Sequence, residues 1–135
     1  MRRTLQTAEL LFPQMPYTLV RDFRETDFGL FEGKTAEELS TVSEYQAWVD
    51  SMCLAPIPQG ESIAEFKSRC CAAFEAIMKS LPDNSCVAFV VHGGVIMSIL
   101  EAYAHPKKGF YEYHIENGNY LTASLCCDSR QMILL

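Results

Sequence analysis

Apolar positions along this chain follow two rhythms, one helical and one strand-like. In "MRRTLQTAELLF", Leu5, Ala8, Leu11 and Phe12 recur at helical spacing with no cap residue ahead of them, which predicts a chain that begins inside a helix. A longer stripe of Phe66, Cys70, Ala73, Phe74, Ile77, Met78 and Leu81 predicts a helix from about Ser62 to Ser80 lying against a sheet. After Gly94, Val95, Ile96, Ile99, Leu100 and Tyr103 form a third inward stripe, ended by His105-Pro106. Helix starts are marked by capping boxes, in which a hydroxyl and a side chain three residues on reach each other's amides: Thr35 with Glu38, Ser43 with Gln46, and Ser62 with Glu65.

The second rhythm belongs to strands. "YTLV" (17–20) is a short candidate, and "CVAFVV" (86–91) is a continuous apolar run of the kind buried on both faces of a parallel sheet. "YEYHI" (111–115), "YLTASLCC" (120–127) and "MILL" (132–135), with an Asp-Ser-Arg turn before the last, predict further strands at the sheet edge. Helices alternating with a central apolar strand give the α/β class. The segments 21–34 and 53–62 read as loops, the first rich in charges, aromatics and glycine, the second held out of helix by prolines.

Length and composition narrow the picture without changing it. The 135 residues suffice for a single domain, 1–135, and the balance of 49% apolar to 21% charged is that of a globular protein. A net charge of −6 argues against a nucleic-acid surface, which needs clustered Lys and Arg. His92-Gly93-Gly94 interrupts the longest apolar run, so no membrane span is expected; with no signal peptide at the start, the expected location is cytoplasmic. The six cysteines (53, 70, 71, 86, 126 and 127) have no C-x-x-C spacing and read as buried reduced thiols, with no metal site.

Candidate chemistry begins at "VVHGGV". A strand that turns through glycines into a helix points free amides at whatever lies beyond the strand's carboxyl end, and such helix starts favour anions. His92 stands at that turn, with Gly93 and Gly94 allowing close backbone approach. The motif by itself is short, and it matches neither a Walker sequence nor G-x-G-x-x-G.

Four ordered motifs, "MRRTLQTAELL", "RETDFGLFEGKT", "PQGES" and "VVHGGVI", resemble the histidine phosphatase superfamily, also called the phosphoglycerate mutase-like family, from Arg3 to about Asn117. The resemblance implies a three-layer α/β sandwich and a phosphomonoester substrate, with no metal or organic cofactor. It places a phosphate-binding arginine at Arg3, the proton donor at Glu25, and at His92 the second active-site histidine, which would hold the phosphoryl group together with Gly93. A guanidinium suits phosphate because its planar fork binds two oxygens and stays charged. Glu61 and Asn117 are further pocket candidates, while Ser62 reads as a helix cap, Asp27 and Glu32 as loop supports, and His105 and His114 as surface or packing residues. The short "DFGLFEGKT" form is similar to small bacterial phosphatases, including α-ribazole phosphatase.

The resemblance breaks at the nucleophile. The family attacks phosphorus with a histidine in an R-H-G motif at the end of a central first strand, and this sequence contains no R-H-G. The expectation is a fold missing its first central strand, a chain inactive as it stands, and a gene start placed too late. A homodimer could complete the open sheet. The alternative is a non-catalytic module that binds a phosphoryl ligand or a partner; a generic nucleotide-binding domain would explain the His-Gly-Gly turn but neither Glu25 nor the Arg3 helix.

Overall fold

The computed structural model describes residues 2–126 and 131–135. Among them are five α-helices: α1 (Arg2–Leu11), α2 (Ala36–Leu39), α3 (Ser43–Asp50), α4 (Ile63–Ser80) and α5 (Gly93–Tyr103). A small mixed sheet joins β1 (Ala104–His105), β2 (Ala123–Cys126) and β3 (Gln131–Leu134) in the order β1-β3-β2. The class is α/β, as the sequence predicts. The chain divides into two compact units, Met1–Glu25 with Arg69–Leu135, and Thr26–Ser68.

The smaller unit closes on an aromatic core. Phe31, Leu39 and Ile57 are buried, and Phe28, Val42, Tyr45 and Trp48 pack on them, with Phe31 meeting Tyr45 edge to face at 5.4 Å. Its two loops approach at backbone distance: the Leu30 amide donates to the Pro58 carbonyl at 3.0 Å and the Glu61 amide to the Asp27 carbonyl at 2.9 Å. Gly29 permits this, since it holds φ +47° and a Cβ there would lie 2.3 Å from the Pro58 oxygen. As expected, Asp27 and Glu32 support the loop, Asp27 accepting from the Gly29 amide at 2.9 Å and Glu32 from the Phe28 amide at 3.1 Å.

Two capping boxes form as the sequence predicts. Thr35 and Glu38 accept each other's amides at 2.7 and 3.2 Å, and Ser62 and Glu65 do so at 2.9 and 3.2 Å. The third does not form: α3 is capped by Val42, Ser43 donates to the Glu44 carboxylate, and the Gln46 side chain donates to the Ser40 carbonyl instead. A nearby carbonyl won the amide that the local pattern assigned to the box.

In the larger unit α5 buries Val95, Ser98, Ile99 and Leu100, with Ser98 adding a hydroxyl donated to the Gly94 carbonyl at 2.8 Å. Lys107 turns back to the carbonyls of Glu101 and Ala102, satisfying the helix end. The expected stripe of α4 is present, with Phe66, Cys70 and Phe74 buried. Its partners differ from the expected sheet: Phe74 packs against Phe89 at 5.8 Å and Tyr103 at 5.2 Å, and Tyr103 donates to Glu75 at 2.9 Å.

The strand predictions need the most correction. Among the described residues, 17–20 and 86–91 form no ladder, and Cys86, Val87 and Ala88 are exposed rather than buried on two faces. An apolar β-branched run records a preference for extended backbone, whereas a strand also needs a neighbour to receive its hydrogen bonds. "YEYHI" begins in a 3-10 turn at Phe110–Tyr113, where Phe110 and Tyr113 are each buried and the Tyr113 hydroxyl bridges the Lys108 amide and the Pro106 carbonyl. Within 120–127 the strand is Ala123–Cys126, and "MILL" pairs as β3, whose Met132 lies opposite both Ala104 and Leu125. The expected Asp-Ser-Arg turn and Cys127 lie outside the described residues. Among the described cysteines only Cys70 is buried, Cys53 and Cys71 are half-buried, and Cys86 and Cys126 are exposed, so the expectation of buried thiols holds for one position. The exposure of Cys86 follows from the unpaired 86–91 backbone.

Candidate active site

Three expected residues, far apart in sequence, meet in the larger unit. His92 caps the start of α5, with its carbonyl accepting the Val95 and Ile96 amides at 3.0 and 3.2 Å and its ring buried. Arg3 reaches it from the first turn of α1, and Glu25 from the loop after the 3-10 turn Arg21–Phe23. Arg3 Nη2 lies 3.4 Å from His92 Nδ1 and 3.9 Å from Glu25 Oε2, and the same carboxylate oxygen stands 3.7 Å from His92 Nδ1.

Aromatic packing fixes this convergence. Phe23, two residues before Glu25, and Phe89, three before His92, meet edge to face at 5.8 Å, and Phe89 also rests on Phe74 of α4. One ring therefore anchors both segments that carry the site. T-shaped pairs of this kind add ~0.5–1.5 kcal/mol beyond area burial.

A guanidinium holds donors only, so Arg3 donates to Nδ1 of a neutral His92 ring whose own hydrogen sits on Nε2. When the ring takes a second proton, Nδ1 becomes a donor and Glu25 its acceptor. Burial is the main cause holding the His92 pKa below its ordinary value; Glu25 opposes this by favouring the imidazolium, and Arg3 reinforces it. The neutral ring thus presents an Nε2–H donor. Arg3 is 70% exposed on its side chain and Glu25 21%, so the arginine faces solvent while the carboxylate sits behind it.

Gly93 opens α5, and nothing lies within 4 Å of where its Cβ would stand. Glu61 belongs to the smaller unit, and Asn117 is not part of the hydrogen-bonded cluster but sits exposed on a turn. His105 and His114 are exposed, and Ser62 is the helix cap. The smaller unit has a cavity of about 270 Å³ lined by Phe28, Tyr45 and Trp48, with none of the expected site residues in its wall. Among the described residues no group of three or more His, Cys, Asp or Glu side chains is assembled for a metal ion, and no helix is long and apolar enough to cross a membrane.

One contributor is absent from the expectations. Arg69 of α4 donates to the carbonyls of Asp22 at 2.6 Å, Arg24 at 3.0 Å and Glu25 at 3.1 Å. Its sequence signal is faint: a charge beside the buried stripe position Cys70, with nothing to connect it to a loop some forty-five residues earlier.

A family model described as the histidine phosphatase superfamily (branch 1) matches residues 1–132. Among similar proteins, the "Probable phosphoglycerate mutase GpmB" of Erwinia tasmaniensis is 36% identical over 105 residues, covering 73% of this chain and 48% of that protein. The protein of the same name from Proteus mirabilis is 35% identical over 117 residues, 78% of this chain and 53% of that one. The corresponding Yersinia pestis (strain Pestoides F) protein is 33% identical over 107 residues, 73% and 48% respectively. The chain spans about half the length of the curated relatives it matches. No solved structure matches.

Proposed function

Since the chain belongs to the histidine phosphatase superfamily, we propose that Arg3, Glu25 and His92 form a phosphoryl-binding site and that the protein is a phosphomonoester hydrolase working through a phosphohistidine. The observation that carries this reading is the meeting of residues 3, 25 and 92 within 4 Å of one another around His92 Nδ1. Arg3 binds phosphate oxygens from the solvent side. His92 donates Nε2–H to the same group, and the Gly93 amide adds a third contact. These donors are aimed at oxygens that gain charge in the transition state, where preorganised hydrogen bonds contribute most. Glu25, in its acid form, gives its proton to the departing alcohol oxygen as the phosphorus–oxygen bond breaks.

The attacking imidazole is not among these residues. The sequence holds His92, His105 and His114 and no R-H-G, so the chain as given binds without turning over. That absence also favours a second reading, a phosphoryl-ligand module with no catalysis. A homodimer that pairs the open 17–20 and 86–91 backbones is part of the proposal; Tyr17, Leu19 and Val87 on those segments are exposed apolar residues that a second copy would cover. Sedimentation showing a monomer at micromolar concentration would remove it.

The test compares this 135-residue chain with a version extended upstream to the nearest in-frame R-H-G. Both are assayed for hydrolysis of p-nitrophenyl phosphate, 3-phosphoglycerate and α-ribazole phosphate, and for binding of inorganic phosphate. Turnover by the extended chain alone, with phosphate bound by both, is the expected result. Hydrolysis by the short chain overturns the assignment of a missing nucleophile, and phosphate binding by both without any turnover establishes the binding module.

A further inference from the structure

Glu25 projects from a segment that regular structure does not hold. The 3-10 turn ends at Phe23, Arg24 and Glu25 lie in irregular backbone, and no helix or strand begins until α2 at Ala36 apart from the short turn Gly29–Phe31. A carboxylate on such a loop samples many positions unless its backbone is fixed. Three acceptors within four residues, the carbonyls of Asp22 in the 3-10 turn and of Arg24 and Glu25 after it, converge on one guanidinium. Arg69 Nη1 donates to the first two and Nη2 to the third, while the neighbouring Cys70 thiol lies 3.5 Å from the Asp22 carbonyl.

We propose that Arg69 is the positioning residue of the site, clamping the 22–25 backbone so that the Glu25 carboxylate stays against His92 Nδ1 and Arg3. The proposal rests on the reading of Glu25 as the site's acid. The planar fork suits the task because it spreads two nitrogens across carbonyls on successive residues, a geometry that the compact ammonium of lysine does not reproduce. Arg69 sits on α4, whose Cys70 and Phe74 are buried, so the clamp is referred to a rigid element. Removing it frees the loop without touching any atom that would meet substrate.

The test reads the position of Glu25 through its neighbour. Among the described residues, the charged groups facing the His92 ring are Arg3 from α1 and Glu25 from the loop. The His92 ring is titrated by NMR in the full chain, its signal assigned by loss in His92→Gln. Glu25→Gln is the reference, and it should lower the His92 pKa by removing the carboxylate that favours the imidazolium. Arg69→Met should lower it in the same direction and add nothing further in the Glu25→Gln background. The direction is diagnostic: loss of a cation acts by itself to raise a histidine pKa, so a fall must come through displacement of Glu25.

Arg69→Lys, which keeps the charge but not the fork, should show a smaller fall, and it decides the matter if Arg69→Met does not fold by circular dichroism. A His92 titration that is unmoved or raised in the folded variant overturns the clamp. So does a fall of equal size in the Glu25→Gln background, or a titration that Glu25→Gln leaves unchanged. Inorganic phosphate binding by the unmodified chain, followed by ³¹P NMR, is measured separately: its failure removes the phosphoryl-site reading while the titration cycle still reports on Arg69.

Discussion

Arg3→Met separates the two jobs assigned to this side chain, phosphate contact and control of His92. The guanidinium lies 3.4 Å from His92 Nδ1 and is 70% exposed. A hydrogen bond to a charged group contributes ~1.5–3 kcal/mol when made. Exposure places Arg3 at the low end of that range, since a pair at ~4 Å in water gains only ~1 kcal/mol of Coulomb energy. A loss of ~1.4 kcal/mol is a tenfold change in affinity, so inorganic phosphate should bind about tenfold more weakly. Arg3→Lys should lose less, because it keeps the charge and gives up the fork.

The measurement belongs at about pH 8, above the ordinary imidazole range, so that changes in His92 protonation do not enter the comparison. Isothermal titration at low salt gives the affinity, and repetition at ~0.15 M salt should shrink the difference as exposed charge is screened. The same variant should raise the His92 pKa, because Arg3 disfavours the imidazolium. Phosphate binding within twofold of the parent at low salt refutes the contact. A His92 titration that does not rise refutes the electrostatic part.

Further outcomes follow from the same geometry. The folded chain holds the His92 pKa below the ordinary value of 6.5, so between that depressed pKa and about 6.5 the unfolded state binds more protons and stability rises with pH. Urea unfolding should show that slope, complete above about pH 6.5, and His92→Gln should flatten it. Gly29→Ala puts a Cβ 2.3 Å from the Pro58 oxygen at φ +47°. It should cost at least ~1–3 kcal/mol from the left-handed backbone alone, read as a lower denaturant midpoint of the Trp48 fluorescence transition. Ser62→Ala removes the hydroxyl that accepts the Glu65 amide at 3.2 Å and should cost ~1 kcal/mol, seen as a lower midpoint of the helical signal.

The features legible in the sequence are those whose causes lie within a few residues. The capping boxes at Thr35 and Ser62 form because each joins two side chains to two amides one turn apart, and the buried faces of α4 and α5 follow from spacing on a single helix. Arg3, Glu25 and His92 were visible as motif positions, and the fold brings all three into contact. Tertiary structure decided whatever depends on a partner distant in sequence. Whether "CVAFVV" becomes a strand turns on a neighbouring backbone, and the described residues leave it unpaired; whether "YEYHI" extends or turns depended on the Tyr113 hydroxyl finding Pro106 and Lys108. Arg69 belongs to the same class. Its residue type and helix position were plain, but carbonyl groups carry no side-chain signature, so only the folded chain reveals that three of them converge on its guanidinium.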